Sequence, residues 1–282
     1  MNRRVGLLVV LAIAMLGVYV RAQFGDAPAK LDTIKIKDDL FVIHNDFVPG
    51  NTTVLVTNQG VVLVDDKFEI DHENIMAQLK KITNQPVRYV INTHYHADHS
   101  GGNAKLQALN AQVITSQQAR DRMVEIKQSG QANVTLDNSL RLYLGGKRVE
   151  AYRFGRAHTD GDIVVLFPDH RVLSAGDMFT FGDATPQLID YAGGGSARDW
   201  TGTLDGVLKL EFDQVVPGHG LVTTKQEMRK FRDSTLTLRN KVHDMIAQKK
   251  TKAEIEKMLR TDFKFADLHI QRSLDGLMLE LQ

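Results

Sequence analysis

Three histidines and an aspartate lie within six positions of the segment THYHADHSGG, residues 93–102, in a chain with ten histidines among 282 residues. The four side chains are those of His94, His96, Asp98 and His99. Imidazole nitrogens and carboxylate oxygens are common zinc ligands. The preceding VRYVIN (87–92) resembles a short buried strand, and alternate side chains of a strand point to the same side. The spacing therefore predicts that His94 and His96 converge on one point, while Asp98 and His99 lie where the chain turns toward a helix.

A zinc ion in a protein usually takes three or four ligands, so this loop needs partners from elsewhere. Three further glycine-flanked loops carry suitable side chains: GRAHTDGD with His158, SAGDMF with Asp177 and VPGHG with His219. The chain contains no cysteine. There is consequently no thiolate nucleophile, and any metal must use nitrogen and oxygen ligands. No G-x-S-x-G elbow is present to supply a serine nucleophile.

Composition indicates an ordinary globular protein. Hydrophobic residues make up 43% of the chain and charged residues 24%, and the formal net charge is +1. Such a balanced charge provides no electrostatic footprint for a phosphate backbone, so nucleic acid is not an expected partner.

Strand and helix patterns alternate along the chain. Residues 52–66 form two apolar runs around Asn58-Gln59-Gly60 and predict a hairpin. Helical spacing follows over 71–82, with Asp71 as the candidate N-cap. A strand is predicted over 111–116 and a helix over 117–127.

A second strand-turn-strand unit at 162–177 ends in aspartate, as the first hairpin does, which indicates an internal duplication. From Lys225 onward the pattern is helical, and Thr251 to Glu254 matches a capping box. The YAGGGS run, 191–196, is interpreted as a loop rather than a domain boundary.

The N-terminus differs from the rest of the chain. Arg3 and Arg4 precede a sixteen-residue apolar run from Val5 to Val20, followed by a loose match to a small-residue cleavage site before Gln23. This is typical of a secretory signal peptide over residues 1–22, with an uncleaved membrane anchor as the alternative. We therefore expect a periplasmic or secreted protein with no stable membrane association once the signal is removed.

The histidine cluster, the HTxGD setting of His158, the AGD setting of Asp177 and the PGHG setting of His219 together resemble the metal-binding motifs of the metallo-β-lactamase superfamily. The resemblance extends over about residues 40 to 222, in the same order along the chain. It implies an α/β fold, the αβ/βα four-layer sandwich: two mixed β-sheets face to face, helices outside and a metal site at one end. We assign 23–223 to this domain and 224–282 to a C-terminal helical extension packed on it.

The resemblance also implies a role for each motif residue. His94, His96 and His158 would hold one zinc ion, Asp98, His99 and His219 a second, and Asp177 would bridge the two ions. Asp65 corresponds to the family's strand-end aspartate and would orient a ligand histidine. The family often continues Asp-Thr-Gly at this point, whereas this chain has Asp65-Asp66-Lys67, so the following loop should differ.

Two zinc ions can activate a water to attack a carbonyl carbon. The sequence therefore predicts a zinc-dependent hydrolase of an ester, lactone, thioester or lactam, with Asp98 orienting the water and handling its proton. The alternatives are a true β-lactamase, an iron-dependent oxidoreductase of the same fold and a non-catalytic metal-binding protein. Tyr95 is interpreted as a packing residue that points away from the histidines, and Asn51 as either a pocket rim or a simple turn.

Overall fold

The computed structural model describes residues 27–46, 48–182 and 188–282. The predicted signal peptide, residues 1–22, lies outside these ranges. Within them, every helix is too short or too polar to cross a membrane.

Seven strands form the first sheet, in chain order. They are β1 (Asp32–Lys35), β2 (Leu40–His44), β3 (Thr52–Thr57), β4 (Gly60–Val64), β5 (Val87–Ile91), β6 (Gln112–Ser116) and β7 (Val134–Leu136). The strands from β1 to β4 pair antiparallel and those from β4 to β7 pair parallel. Every residue of β4 is buried, as expected for a strand covered on both faces. The predicted hairpin at Asn58-Gln59-Gly60 is confirmed.

The second sheet has six strands in the order β13-β12-β11-β10-β9-β8. They are β8 (Ser139–Leu144), β9 (Lys147–Tyr152), β10 (Val164–Phe167), β11 (Val172–Ser174), β12 (Gln214–Val216) and β13 (Thr223–Thr224). Only β11 and β12 pair in parallel among these strands. The predicted second strand-turn-strand unit is thus confirmed as the hairpin of β10 and β11.

The two sheets face each other across an apolar core. Leu55 of β3 and Ile91 of β5 from one sheet belong to the same buried cluster as Val165 and Phe167 of β10 from the other. Burying these side chains between the sheets removes apolar surface from water and holds the sheets together.

Helices cover the outer faces of both sheets. They are α1 (His72–Ile82), α2 (Ala97–Ser100), α3 (Asn103–Ala108), α4 (Gln117–Glu125), α5 (Ala197–Val207), α6 (Lys225–Ala247), α7 (Lys252–Asp262) and α8 (Asp267–Glu280). α1 and α3 contribute Ile75 and Leu106 to the cluster on the first sheet, and the helices from α5 to α8 cover the second. The predicted αβ/βα sandwich of two mixed sheets is confirmed.

The C-terminal helices share a core with the second sheet. Leu238 of α6, Ile255 of α7 and Leu277 of α8 belong to one buried cluster with Leu173 of β11 and Val215 of β12. The division into 23–223 and 224–282 stays a prediction, since this shared core shows where the helices pack but not where a domain ends.

Two local predictions differ from the structure, and one is confirmed. Asp71 occupies the N-cap position of α1 but makes no capping bond, because its Oδ1 accepts a hydrogen bond from Ala29 N at 2.6 Å. The helix predicted over 117–127 ends at Glu125. The capping box of Thr251 and Glu254 is confirmed at the start of α7.

Candidate metal centre

The sandwich brings the predicted ligands to one edge through the ends of four strands. Asp65 follows β4, the cluster 94–99 follows β5, Asp177 follows β11 and His219 follows β12. His158 lies on the connection between β9 and β10. Because β4 and β5 are parallel, as are β11 and β12, their carboxyl ends meet at the same edge of each sheet.

Four side chains form the first metal group: those of His94, His96, His158 and Asp177, whose ligand atoms all lie within 4.8 Å of one another. His96 Nδ1 lies 3.2 Å from His94 Nε2 and 3.0 Å from His158 Nε2. Asp177 Oδ2 lies 3.6 Å from His158 Nε2. The first metal group therefore offers three imidazole nitrogens and one carboxylate oxygen.

The convergence of His94 and His96 does not come from strand geometry. β5 ends at Ile91, three residues before His94. The two rings meet because they present different nitrogens, Nε2 from His94 and Nδ1 from His96. The predicted convergence is present, but its predicted cause is wrong.

Asp98, His99 and His219 form the second metal group. Asp98 Oδ2 lies 3.3 Å from His219 Nε2 and 3.6 Å from His99 Nε2, and the two imidazole nitrogens are 3.3 Å apart. Asp177 belongs to this group as well, because its Oδ1 lies 3.1 Å from His99 Nε2 and 3.3 Å from His219 Nε2. The carboxylate of Asp177 thus directs one oxygen to each group.

The outer ring nitrogens of the ligands are held by hydrogen bonds. His99 Nδ1 lies 2.8 Å from Asp65 Oδ2, and His158 Nδ1 lies 2.6 Å from the carbonyl oxygen of Leu188. His94 Nδ1 lies 3.1 Å from Thr93 Oγ1. Each outer nitrogen can donate its proton to these acceptors, which leaves a lone pair on the inner nitrogen. Lone pairs that face one another at such distances require a cation, so these residues fit bound metal.

Asp65 lies at the place expected for a residue that orients a ligand. Besides His99, its carboxylate accepts hydrogen bonds from Thr93 N at 2.7 Å and Thr93 Oγ1 at 2.8 Å. One carboxylate thus fixes both the end of β5 and a ring of the second metal group. The position that faces Thr93 must be a glycine. A Cβ at Gly176, where φ is +53°, would lie 2.3 Å from Thr93 Oγ1. This close approach explains the glycine of the AGD motif.

Asp190 is the main site residue that the sequence analysis missed. Its Oδ2 accepts hydrogen bonds from His96 Nε2 at 2.8 Å and from the Tyr95 hydroxyl at 2.6 Å. Burial raises the pKa of this carboxyl, but the hydrogen bonds from His96 and Tyr95 outweigh it and hold the pKa below its ordinary value. Tyr95 is therefore bonded to the carboxylate that orients His96, and its interpretation as mere packing is wrong.

Asp162 is a second residue that was missed, although it belongs to the HTxGD motif. Its carboxylate accepts hydrogen bonds from Thr159 N at 2.9 Å and from the Thr159 hydroxyl at 2.5 Å. Burial raises the pKa of Asp162 to about 7, although the hydrogen bonds from Thr159 act to lower it. The contacts close the tight turn that carries His158, which gives the motif a structural reason.

The Asp65-Asp66-Lys67 departure has a structural counterpart. Lys67 adopts the left-handed conformation, with φ of 61°, and its side chain is fully buried. Its ammonium donates hydrogen bonds to Asn45 Oδ1 at 2.9 Å and to the carbonyl oxygen of Gly50 at 2.5 Å. Burial lowers the pKa of Lys67 to about 7. The loop therefore carries a buried amine that ties the strand end to Asn45 and Gly50.

Asn51 holds the loop that carries His219 and does not form a pocket rim. Its side-chain amide donates hydrogen bonds to the carbonyl oxygens of Pro217 at 3.0 Å and Gly220 at 2.8 Å. Its backbone N donates to the carbonyl oxygen of Gly218 at 2.7 Å. Three hydrogen bonds from one residue thus hold the loop on both sides of the ligand.

The two metal groups differ in their electrostatics. Burial lowers the pKa of His94 well below its ordinary value and that of His158 to about 4, so these rings are neutral ligands at neutral pH. Burial acts in the same direction on His99 and His219, but neighbouring carboxylates outweigh it and raise both pKa values, to about 10 for His219. Metal binding at the second group must therefore displace protons, as is general for histidine sites.

Comparison with known proteins agrees with this geometry. Residues 45–219 match the profile of the metallo-beta-lactamase superfamily. The chain belongs to this superfamily. A metallo-beta-lactamase type 2 of Elizabethkingia meningoseptica is 28% identical over 219 residues, which are 74% of this chain and 86% of the relative. The metallo-beta-lactamase IND-1 of Chryseobacterium indologenes is 30% identical over 176 residues, 60% of this chain and 71% of the relative.

Solved structures of the superfamily share the fold. The metallo-beta-lactamase from Pontibacter korlensis superposes with a TM-score of 0.66 at 21% identity, covering 73% of this chain and 99% of that one. The DIM-1 metallo-beta-lactamase gives a TM-score of 0.65, also at 21% identity, covering 74% and 98%. The profile match and the β-lactamase relatives show that the chain is a metallo-hydrolase of the metallo-β-lactamase superfamily.

Asp190 generates a prediction about metal affinity. Asp190→Ala removes the acceptor of the His96 outer nitrogen, so the affinity of the first metal group should fall roughly 10- to 100-fold, as for other outer partners of ligand histidines. Tyr95→Phe keeps the carboxylate and should lower the affinity less. Competition for zinc with a chromophoric chelator measures both. Unchanged zinc affinity in Asp190→Ala would show that the carboxylate does not orient the ring.

Proposed function

We propose that this protein binds two zinc ions and hydrolyses a carbonyl-type bond, an ester, lactone, thioester or lactam, in a small molecule. The observation that carries the proposal is the Asp177 carboxylate, whose Oδ1 faces His99 and His219 while its Oδ2 faces His158 and His94. A shared carboxylate between two sets of histidines is an arrangement suited to two metal ions acting together.

The donor atoms favour zinc. The first metal group provides three imidazole nitrogens and one oxygen, and the second provides two imidazoles with carboxylate oxygens. Calcium and magnesium prefer sets composed of oxygen alone, whereas zinc takes histidine and carboxylate in sets of four. Iron also binds such sets, so an oxidoreductase remains the second candidate, which metal analysis distinguishes.

Zinc ions bound here would lower the pKa of a coordinated water toward 7 and polarise the substrate carbonyl. The protein's own contribution centres on Asp98. Burial disfavours its charge, yet His99 and His219 keep its pKa below the ordinary value, so Asp98 is ionised at neutral pH. It can accept the proton of the attacking water and return it to the leaving group. The water oxygen bonds to the carbonyl carbon, and the bond to the leaving group breaks.

The substrate class follows from two considerations that point in different directions. The relatives are named as β-lactamases, which makes a lactam a candidate here. The Asp177 carboxylate, however, neutralises one unit of charge between the two groups and occupies space beside the reacting water. We favour ester, lactone or thioester substrates over β-lactams for this reason.

We also propose that the protein is exported to the periplasm or secreted. The basic residues Arg3 and Arg4 before the apolar run from Val5 to Val20 support this assignment. N-terminal sequencing of the protein recovered from the cell envelope or medium should find a start near Gln23. Soluble protein that retains Met1 would contradict cleavage.

Metal content and turnover test the proposed function together. Purified protein should contain close to two equivalents of zinc, because two complete ligand groups are present, and chelation should abolish hydrolysis. A chromogenic panel of one ester, one lactone, one thioester and one β-lactam measures turnover, with the ester, lactone or thioester expected to be fastest. Full activity with iron and no zinc would contradict the proposal, and a lactam that is hydrolysed faster than the others would contradict the preference for ester, lactone or thioester substrates.

Asp177→Ala should lose the second metal before the first. After the substitution the first group keeps three neutral imidazoles, which suffice for zinc, while the second keeps Asp98, His99 and His219 without the shared carboxylate. Zinc titration should then show one tight and one weak step. Asp98→Asn is the matched variant: it leaves every ligand of the first group in place, and turnover should fall strongly. Two equally tight steps in Asp177→Ala would show that Asp177 is not a bridge.

A further inference from the structure

The segment 188–196 links the first metal group to the last helix of the chain. On its inner side, the carbonyl oxygen of Leu188 accepts the hydrogen bond of His158, and Asp190 accepts that of His96. Two of the three imidazoles of the first metal group are therefore oriented by positions two residues apart. The residue between them is Ile189, which is fully buried.

Ser273 of α8 holds Ile189 from the opposite side. The hydroxyl of Ser273 accepts a hydrogen bond from Ile189 N and donates one to Ile189 O, each at 3.2 Å. Ser273 is fully buried. A single side chain, 84 residues away in sequence, thus pins the backbone between Leu188 and Asp190.

Two further residues of α8 hold the rest of the segment. Glu280 accepts hydrogen bonds from the Tyr191 hydroxyl at 2.8 Å and the Ser196 hydroxyl at 2.5 Å. The Tyr191 ring lies against Gly276, where an added Cβ would come within 2.1 Å of it. Ser273, Gly276 and Glu280 are spaced three and four residues apart, so they share one face of the helix.

The residue types on this face are poor choices for the helix itself. Serine and especially glycine have lower helix propensity than alanine, and both stand in the interior of α8. Contact with the 188–196 segment accounts for both of them: serine supplies the two hydrogen bonds, and glycine leaves room for the tyrosine ring. The serine and glycine on this face of α8 are therefore explained by their contacts with the 188–196 segment.

We propose that α8 is a positioning element of the metal centre: through Ser273, Gly276 and Glu280 it holds the 188–196 segment so that Leu188 and Asp190 orient His158 and His96. The affinity of the first metal group then depends on the C-terminal end of the chain. This rests on the proposed function only in taking zinc as the metal.

Ser273→Ala in the full-length protein is the direct test. It removes both hydrogen bonds to Ile189 without adding bulk. Zinc titrated into the metal-free protein against a chromophoric chelator should show the step of the first group weakened by roughly threefold or more, but by less than the 10- to 100-fold expected for losing an outer partner altogether. The step of the second group should be unchanged. Tyr191→Phe, which removes only the hydroxyl bonded to Glu280, should act in the same direction and serves if Ser273→Ala folds poorly.

Thr235→Val is the matched control. Thr235 is buried on α6, and its hydroxyl bonds to Thr201 and to the carbonyl oxygen of Arg232, neither of which belongs to the 188–196 segment. Its loss should lower the melting temperature of the metal-free protein by an amount similar to Ser273→Ala, yet leave both zinc steps unchanged. A general loss of stability is thereby separated from a loss of ligand orientation.

The outcomes distinguish this inference from the proposed function. Weakening of the first step in Ser273→Ala but not in Thr235→Val supports the positioning role, whether or not any substrate of the panel is hydrolysed. Equal zinc affinity in Ser273→Ala, Thr235→Val and the unaltered protein would overturn it while leaving hydrolysis intact. An unaltered protein that takes up no zinc would overturn both.

Discussion

The arrangement at the sheet edge depends on one physical constraint: unshared electron pairs of five imidazoles and two carboxylates point into a space a few ångströms across. Nitrogens 3.0 to 3.3 Å apart repel one another unless a proton or a metal cation lies between them. Such a cluster must be held by the surrounding structure before any ion binds. The hydrogen bonds that the outer ring nitrogens donate to Asp65, Thr93, Leu188 and Asp190 supply that restraint.

The ligand residues are positioned by the same structural unit in both sheets, a hairpin followed by a helix and a parallel strand. In the first sheet the hairpin of β3 and β4 is followed by α1 and the parallel strand β5. In the second, the hairpin of β10 and β11 is followed by α5 and the parallel strand β12. In each unit an aspartate, Asp65 or Asp177, follows the second strand, and a loop with histidine follows the third strand. The repeated topology agrees with the internal duplication indicated by the sequence.

Much of the site could be predicted because its ligands are concentrated in loops with local signals. His94, His96, Asp98 and His99 stand together, and His158, Asp177 and His219 each lie in a short loop that contains glycine, so residue type and spacing sufficed to select them. Asp190 carries no such signal: only the folded chain brings it to His96. The hydrogen bond that Ala29 N donates to Asp71 and the burial of Lys67 were missed for the same reason, since both depend on contacts between segments distant in sequence. A sequence motif identifies the residues that can bind a metal. The residues that orient them can come from any segment that the fold brings close, so no local pattern marks them.

The two metal groups are consequently held in different ways. The second group gathers two carboxylates around its imidazoles, with Asp65 behind His99, so negative charge attracts a cation and protons compete with it. The first group has only the shared Asp177 and relies on neutral rings whose directions are set by a carbonyl, a hydroxyl and Asp190. Attraction between charges tolerates small displacements of the ligand atoms. The lone pair of an uncharged nitrogen, by contrast, binds a metal ion well only when it points directly at the ion. The first group is therefore the one whose affinity depends most on rigid support, and α8 provides that support from the far end of the chain.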